Sequence, residues 1–158
     1  MQSWLFVLTV LAALGSGLMA GLFFAFSAFI MQAFATRPAA VGIAAMQSIN
    51  ETILNPVFFL LFFGTAVLSL ILAILAVIGS DDAGSGWRLA GGLLYLIGAI
   101  GITMRWNVPL NNGLAQVMPE SPEGAAVWAR YLKVWTRWNH VRTVACLAAT
   151  ASFILGMR

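Results

Sequence analysis

The chain has 158 residues, of which 61% are hydrophobic and only 8% charged. A soluble domain carries about one-quarter charged residues, so this composition excludes an ordinary water-facing surface and points to a membrane protein. The net charge of +3 is read as membrane orientation and headgroup contact, with the lipid bilayer as a partner and no nucleic acid.

Residues 4–31 carry no charge. About 20 apolar residues cross a bilayer core as a helix, so this stretch suffices by itself. Ala33-Phe34-Ala35 resembles a cleavage site, but no Lys or Arg precedes the apolar run and the run is about twice a signal-peptide core, so a retained helix is expected. Ala13, Gly17, Gly21 and Ala25 recur every four residues. Such a stripe admits a second backbone, either as a flat face inside a bundle or as a seam in a homo-oligomer. Phe23, Phe24, Phe26 and Phe29 cover the other faces as lipid contacts, core filler or the wall of an apolar cavity.

Arg37-Pro38 marks the first loop, and proline suits the first turn of the next helix. Residues 39–78 read as one long helix bent near Pro56, because proline lacks an N–H and crowds the preceding turn. Its first part is polar, with Gln47, Ser48, Asn50, Glu51 and Asn55, whereas residues 52–80 are uncharged. Residues 79–86 form a solvated turn, and a third helix starts near Trp87 and is bent or ended by Pro109. Residues 113–127, with two prolines and two glutamates, are the one substantial loop; a fourth helix starts near Ala126. The expected fold is all-α, a single-domain integral membrane four-helix bundle with a kinked helix 2 and spans at about 4–32, 42–79, 87–108 and 128–157.

Arg37, Arg105, Arg130, Lys133, Arg137 and Arg142 fall near one side of these spans, and Arg88 and Arg158 near the other. The excess of basic residues on the cytoplasmic side then puts loops 1 and 3 inside and both termini outside, in a bacterial inner membrane. Cys146 is the single cysteine, which rules out an intrachain disulfide or a CxxC motif.

Polar residues gather where the spans end. Trp135, Trp138, Asn139 and Arg142 stand at i, i+3, i+4 and i+7 and so share a helix face. His140, the only histidine, lies nearer Thr136 and Thr143. Glu51 and Asn55 are one turn apart, as are Asn107 and Asn111 if the helix survives Pro109. Ionisable groups at such depth mark a functional site by default, so Glu51, Asn55, Asn107, Asn111, Trp135 and Trp138 are candidate pocket residues around His140, Asn139 and Arg142. The structural alternatives are a Glu51–Arg142 ion pair tying helix 2 to helix 4, and tryptophans, Trp106 and Trp128 above all, as headgroup-level anchors. A short echo relates Arg105-Trp106-Asn107 to Arg137-Trp138-Asn139.

Dimetal bundles need two Glu-x-x-His helices with further glutamates, so no metal site is expected; haem or metal on His140 alone is the minor alternative. Phosphate-loop, serine-elbow and nucleophilic-cysteine motifs are absent from the sequence.

Four pieces are similar to the anthrone oxygenase-like family of small integral membrane proteins, formerly a domain of unknown function. They are residues 20–27 (Ala-Gly-Leu-Phe-Phe-Ala-Phe-Ser), Asn50 with Asn55-Pro56, residues 106–111 (Trp-Asn-Val-Pro-Leu-Asn) and residues 135–143 (Trp-Thr-Arg-Trp-Asn-His-Val-Arg-Thr). The resemblance implies an oxidoreductase, a monooxygenase converting a tricyclic anthrone to an anthraquinone, with O2 as co-substrate and no organic cofactor. On that reading His140 is the base, since histidine exchanges protons near neutral pH. Asn107, Asn111, Asn139 or Arg142 would hold the oxyanion, and Trp135 and Trp138 would stack on the flat rings of a lipophilic aromatic or polyketide-type substrate. The alternatives are a non-catalytic binding or transport protein for a quinone, lipid or small amphiphile, and a structural subunit whose polar groups only lock helices together.

Overall fold

Among the described residues the chain forms five helices: α1 (Ser3–Ala35), α2 (Ala39–Thr52), α3 (Pro56–Ile78), α4 (Ser85–Ala115) and α5 (Pro122–Leu155). The computed structural model describes residues 3–79 and 83–158, so part of the expected 79–86 turn lies outside the described residues. No strand occurs among those described.

Helices α1, α3 and α4 are long and apolar enough to cross a membrane. Helix α5 has 34 residues, but its Arg- and Asn-bearing middle lowers its hydropathy, so three of the expected four spans stand on length and composition alone. Outward side chains are apolar, as on Leu18 of α1 (62% exposed) and Leu60 and Val77 of α3 (76% and 64%). Such faces suit lipid and would be a liability in water.

The expected long, kinked helix 2 is corrected to two helices with a break. Asn55 is extended, with φ −122° and ψ 161°, as a residue before proline is driven to be. Its Oδ1 accepts from the Phe58 N–H at 3.0 Å, and its Nδ2 donates to the Thr52 carbonyl at 3.0 Å. Asn-Pro here is an N-cap followed by a first-turn proline. Asn55 therefore starts a helix, and it does not line the cavity described below.

The four long helices close a ring: α1 packs on α3 and α5, and α4 packs on the same two, while α2 lies across α5 and the end of α4. Small residues set the spacing of this ring. A Cβ on Gly15 of α1 would collide with Thr65 of α3, and one on Gly98 of α4 with Ala145 of α5. The expected Gly17/Gly21 stripe does less: Gly17 meets Thr150 at ordinary distance and Gly21 is exposed with open space beside it.

Helix α1 widens into a π-turn at Phe26–Ile30, and α4 does so at Leu96–Gly101 and Thr103–Asn107. Helix α4 thereby runs through Pro109 to Ala115 without ending, beyond the expected limit near residue 108. The Val108 N–H reaches the Thr103 carbonyl. This wider register adjoins the turn where proline removes a hydrogen bond and crowds a carbonyl. π-Turns of this kind are often found at functional sites, and here two of them bring Ser27 and Thr103 to the middle of α5.

Candidate functional site

Side chains of α5 supply the floor of the site. Its buried residues Trp128, Tyr131, Trp135, Asn139, Arg142 and Cys146 recur every three or four positions, as one helix face requires, with Thr143 beside them. Ser121 caps the helix by accepting from the Gly124 N–H at 2.9 Å, so α5 starts at Pro122 and not near Ala126.

Asn139 is fully buried and held at both ends of its amide. Its nitrogen donates to the Phe23 carbonyl at 2.7 Å and to Ser27 Oγ at 2.8 Å, while Oδ1 accepts from Arg142 Nη2 at 2.7 Å. Thr143 closes the group, donating to the Asn139 carbonyl at 3.0 Å and lying 3.2 Å from Ser27 Oγ. Arg142, only 5% exposed, sends Nη1 to Thr103 Oγ1 at 3.1 Å. Its guanidinium lies over the Phe23 ring at 4.1 Å and the Trp135 ring at 5.2 Å. The Nε–H has no partner.

No carboxylate pairs with Arg142 among the described residues, so the expected Glu51–Arg142 ion pair is absent. Removing a cation from water without a counter-charge is costly. Cation–π contact and two neutral acceptors offset part of that cost.

Beside Arg142 lies a cavity of about 500 Å³. Phe23 and Phe26 of α1, Asn50 and Glu51 of α2, Thr103 and Asn111 of α4, and Trp135 and Arg142 of α5 all line it. Tyr131 and Trp135 both donate to Asn111 Oδ1 at 2.8 Å, which orients the amide and leaves its nitrogen without a protein partner. Gln47 ties α2 to the far wall, donating to the Leu114 and Val117 carbonyls at 2.9 and 3.0 Å.

Of the residues singled out in the sequence, Glu51, Asn111, Trp135 and Arg142 meet at this cavity. Asn139 and Asn107 lie buried behind it; Asn107 donates to the Trp135 carbonyl at 3.3 Å, and its Oδ1 has no partner. Trp138 does not line the cavity but stacks on Trp106, with centroids 4.0 Å apart and planes at 17°. The two echoed tripeptides thus meet through their tryptophans. Trp128 is no surface anchor: it is 3% exposed and packed over Gly42.

His140 is exposed and does not line the cavity. It stands two residues from Arg142, about 200° around the helix, so the two cannot serve one hollow. The pocket base expected from the sequence is therefore not there. Glu51 is the one carboxylate on the cavity lining. It sits in the last turn of α2, which carries no basic residue; a negative charge is disfavoured at a helix C-terminus, so helix stability does not explain it.

Ser27, Thr103 and Tyr131 join the site without standing out in the sequence as candidates. Ser27 is the one polar residue in a Phe-rich run, and Tyr131 stands one turn before Trp135. Both signals were in the sequence, but their partners lie on other helices. Among the described residues, no three His, Cys, Asp or Glu side chains group as metal ligands.

A family model described as anthrone oxygenase matches residues 58–152, more than half of the chain. The chain belongs to the anthrone oxygenase family. No curated protein and no solved structure matches it.

Proposed function

From that membership we propose that the protein is a membrane oxygenase for a lipophilic aromatic ketone or phenol of the anthrone type. The observation that carries this is Arg142: a buried cation with, among the described residues, no counter-carboxylate and a free Nε–H, walled by aromatic rings beside an open cavity. Such a site favours a flat ligand whose oxygen becomes negative.

Glu51 takes a proton from the ring-flanked CH2 of the substrate, and the electron pair moves onto the ketone oxygen as an enolate. Arg142 and the Asn111 amide donate to that oxygen, while Phe23 and Trp135 cover the rings. The enolate carbon gives its electrons to O2, forming a carbon–oxygen bond and, after proton return, a hydroperoxide. Loss of water leaves a second ketone, so CH2 and O2 become C=O and H2O. The residues invoked need no metal or organic cofactor. Asn139 is a positioning residue, fixing Arg142 against Phe23. Helix α5 crosses the bilayer as a fourth span, its polar middle shielded by α1 and α4.

The test is O2 uptake by the purified protein with an anthrone, alongside Arg142→Met and Arg142→Lys. Removing the positive donor lowers turnover by about 10²–10³-fold, and lysine restores part of it. Ligand binding without O2 uptake by the wild-type protein would leave a carrier for aromatic amphiphiles. Unchanged turnover in Arg142→Met would end the oxyanion reading.

A further inference from the structure

The outer face of α5 carries a second, separate arrangement. Arg130, Lys133, Arg137 and His140 follow one another at intervals of three, four and three residues, within about 80° of arc on the helix. All four are exposed. None has a hydrogen bond or an ion pair among the described residues, in contrast to the buried Arg88 and Arg142. The helix holds no Asp or Glu beyond Glu123, so no acid on α5 near the stripe offsets its charge.

Further along, the same face turns apolar: Val144 is 65% exposed, Leu147 54% and Ile154 54%. From Val141 to Ile154 the helix rises only about 20 Å, against a hydrocarbon layer of about 30 Å. The inner end of the basic stripe is therefore drawn into the headgroup layer, with the longer side chains reaching outward to water and phosphate. Trp138 flanks the stripe and stacks on Trp106, over which Arg105 lies at 5.5 Å. Paired indoles at that depth are suited to the interface between headgroups and chains.

We infer that this face of α5, with Trp106 and Trp138 at its edge, is a binding site for anionic phospholipid headgroups. It is distinct from the cavity, which opens on the opposite side of the helix. Each basic residue near an anionic surface strengthens attachment about fivefold. Loss of Arg130, Lys133 and Arg137 together weakens it about a hundredfold.

The experiment uses the full chain in neutral detergent micelles, titrated with phosphatidylglycerol or phosphatidylcholine and read by native mass spectrometry. Wild type should retain phosphatidylglycerol in preference to phosphatidylcholine, and inorganic phosphate should not displace it. Arg130→Gln/Lys133→Gln/Arg137→Gln should lose the preference while keeping its phosphatidylcholine adducts. Should the triple variant fail to fold, Arg137→Gln alone should show a fivefold loss. Equal retention of both lipids by wild type, an undiminished preference in the variants, or displacement by inorganic phosphate would overturn the inference.

Discussion

Two halves of the helical ring differ in what fills them and in how each holds its buried arginine. In one, Ala12, Ala13, Met19, Leu72, Tyr95, Ala99, Cys146, Ala149 and Phe153 form a core dominated by small and aliphatic side chains. Glycines there press helix against helix, as at Gly15 on Thr65 and Gly98 on Ala145. In the other half, Phe26, Met46, Trp128, Tyr131 and Trp135 form an aromatic core, and a cavity of about 500 Å³ is left beside it. Each half has one buried arginine. Arg88 sends Nη1 to the Gly156 carbonyl at 2.8 Å, where a cation satisfies the end of a helix. Arg142 is held by neutral acceptors and faces the cavity. One half packs helix against helix, and the other leaves a charge beside an open cavity.

Substitutions should separate the two. The largest effect expected is on turnover: Glu51→Gln loses about 10²–10⁴-fold in O2 uptake, the usual contribution of a positioned base, with aromatic ligand affinity nearly unchanged. Unaltered uptake would remove Glu51 from the chemistry. In the scaffold half, Gly98→Val forces α4 from α5 and costs about 1–3 kcal/mol by overpacking, read as a lower midpoint of thermal unfolding in detergent. No loss would mean that the close approach at Ala145 is not sustained. Asn55→Ala removes a helix cap and costs about 1 kcal/mol; a loss of ligand affinity larger than this stability change would return Asn55 to the site. His140→Ala is the smallest. Turnover should stay within about twofold, as for surface substitutions away from the chemistry, and a larger fall would bring the histidine back as the base.

Much of this contrast was legible in the sequence. Apolar stretches locate the helices, and spacings of four and three residues put Trp135, Asn139 and Arg142 on one face of α5. The break at Asn55 is less legible, because a proline inside an apolar-periodic run suits a kink as well as a new start; the asparagine before it, able to cap, is the deciding signal. His140 was misplaced for a different reason. Its neighbours along the chain are site residues, but only rotation about the helix decides which of them face inward. Ser27 and Thr103 became visible only once the π-turns brought α1 and α4 against α5, a register that no spacing rule supplies. The small-residue stripe of α1 packs in part, with Ala13 buried and Gly17 against Thr150, but the tightest approach falls at Gly15, outside the stripe; any of several small residues in that helix fits a close approach, and the partner helix chooses among them.

The central claim, that Arg142 receives an ionised aromatic oxygen, is tested most directly by the visible spectrum of a bound hydroxyanthraquinone, whose colour differs between its neutral and phenolate forms. At a pH where the free compound is neutral, the wild-type protein should bind it with the phenolate spectrum, and Arg142→Gln should bind it weakly and in the neutral form. A neutral spectrum on the wild-type protein, or equal affinity and colour with both proteins, would contradict it.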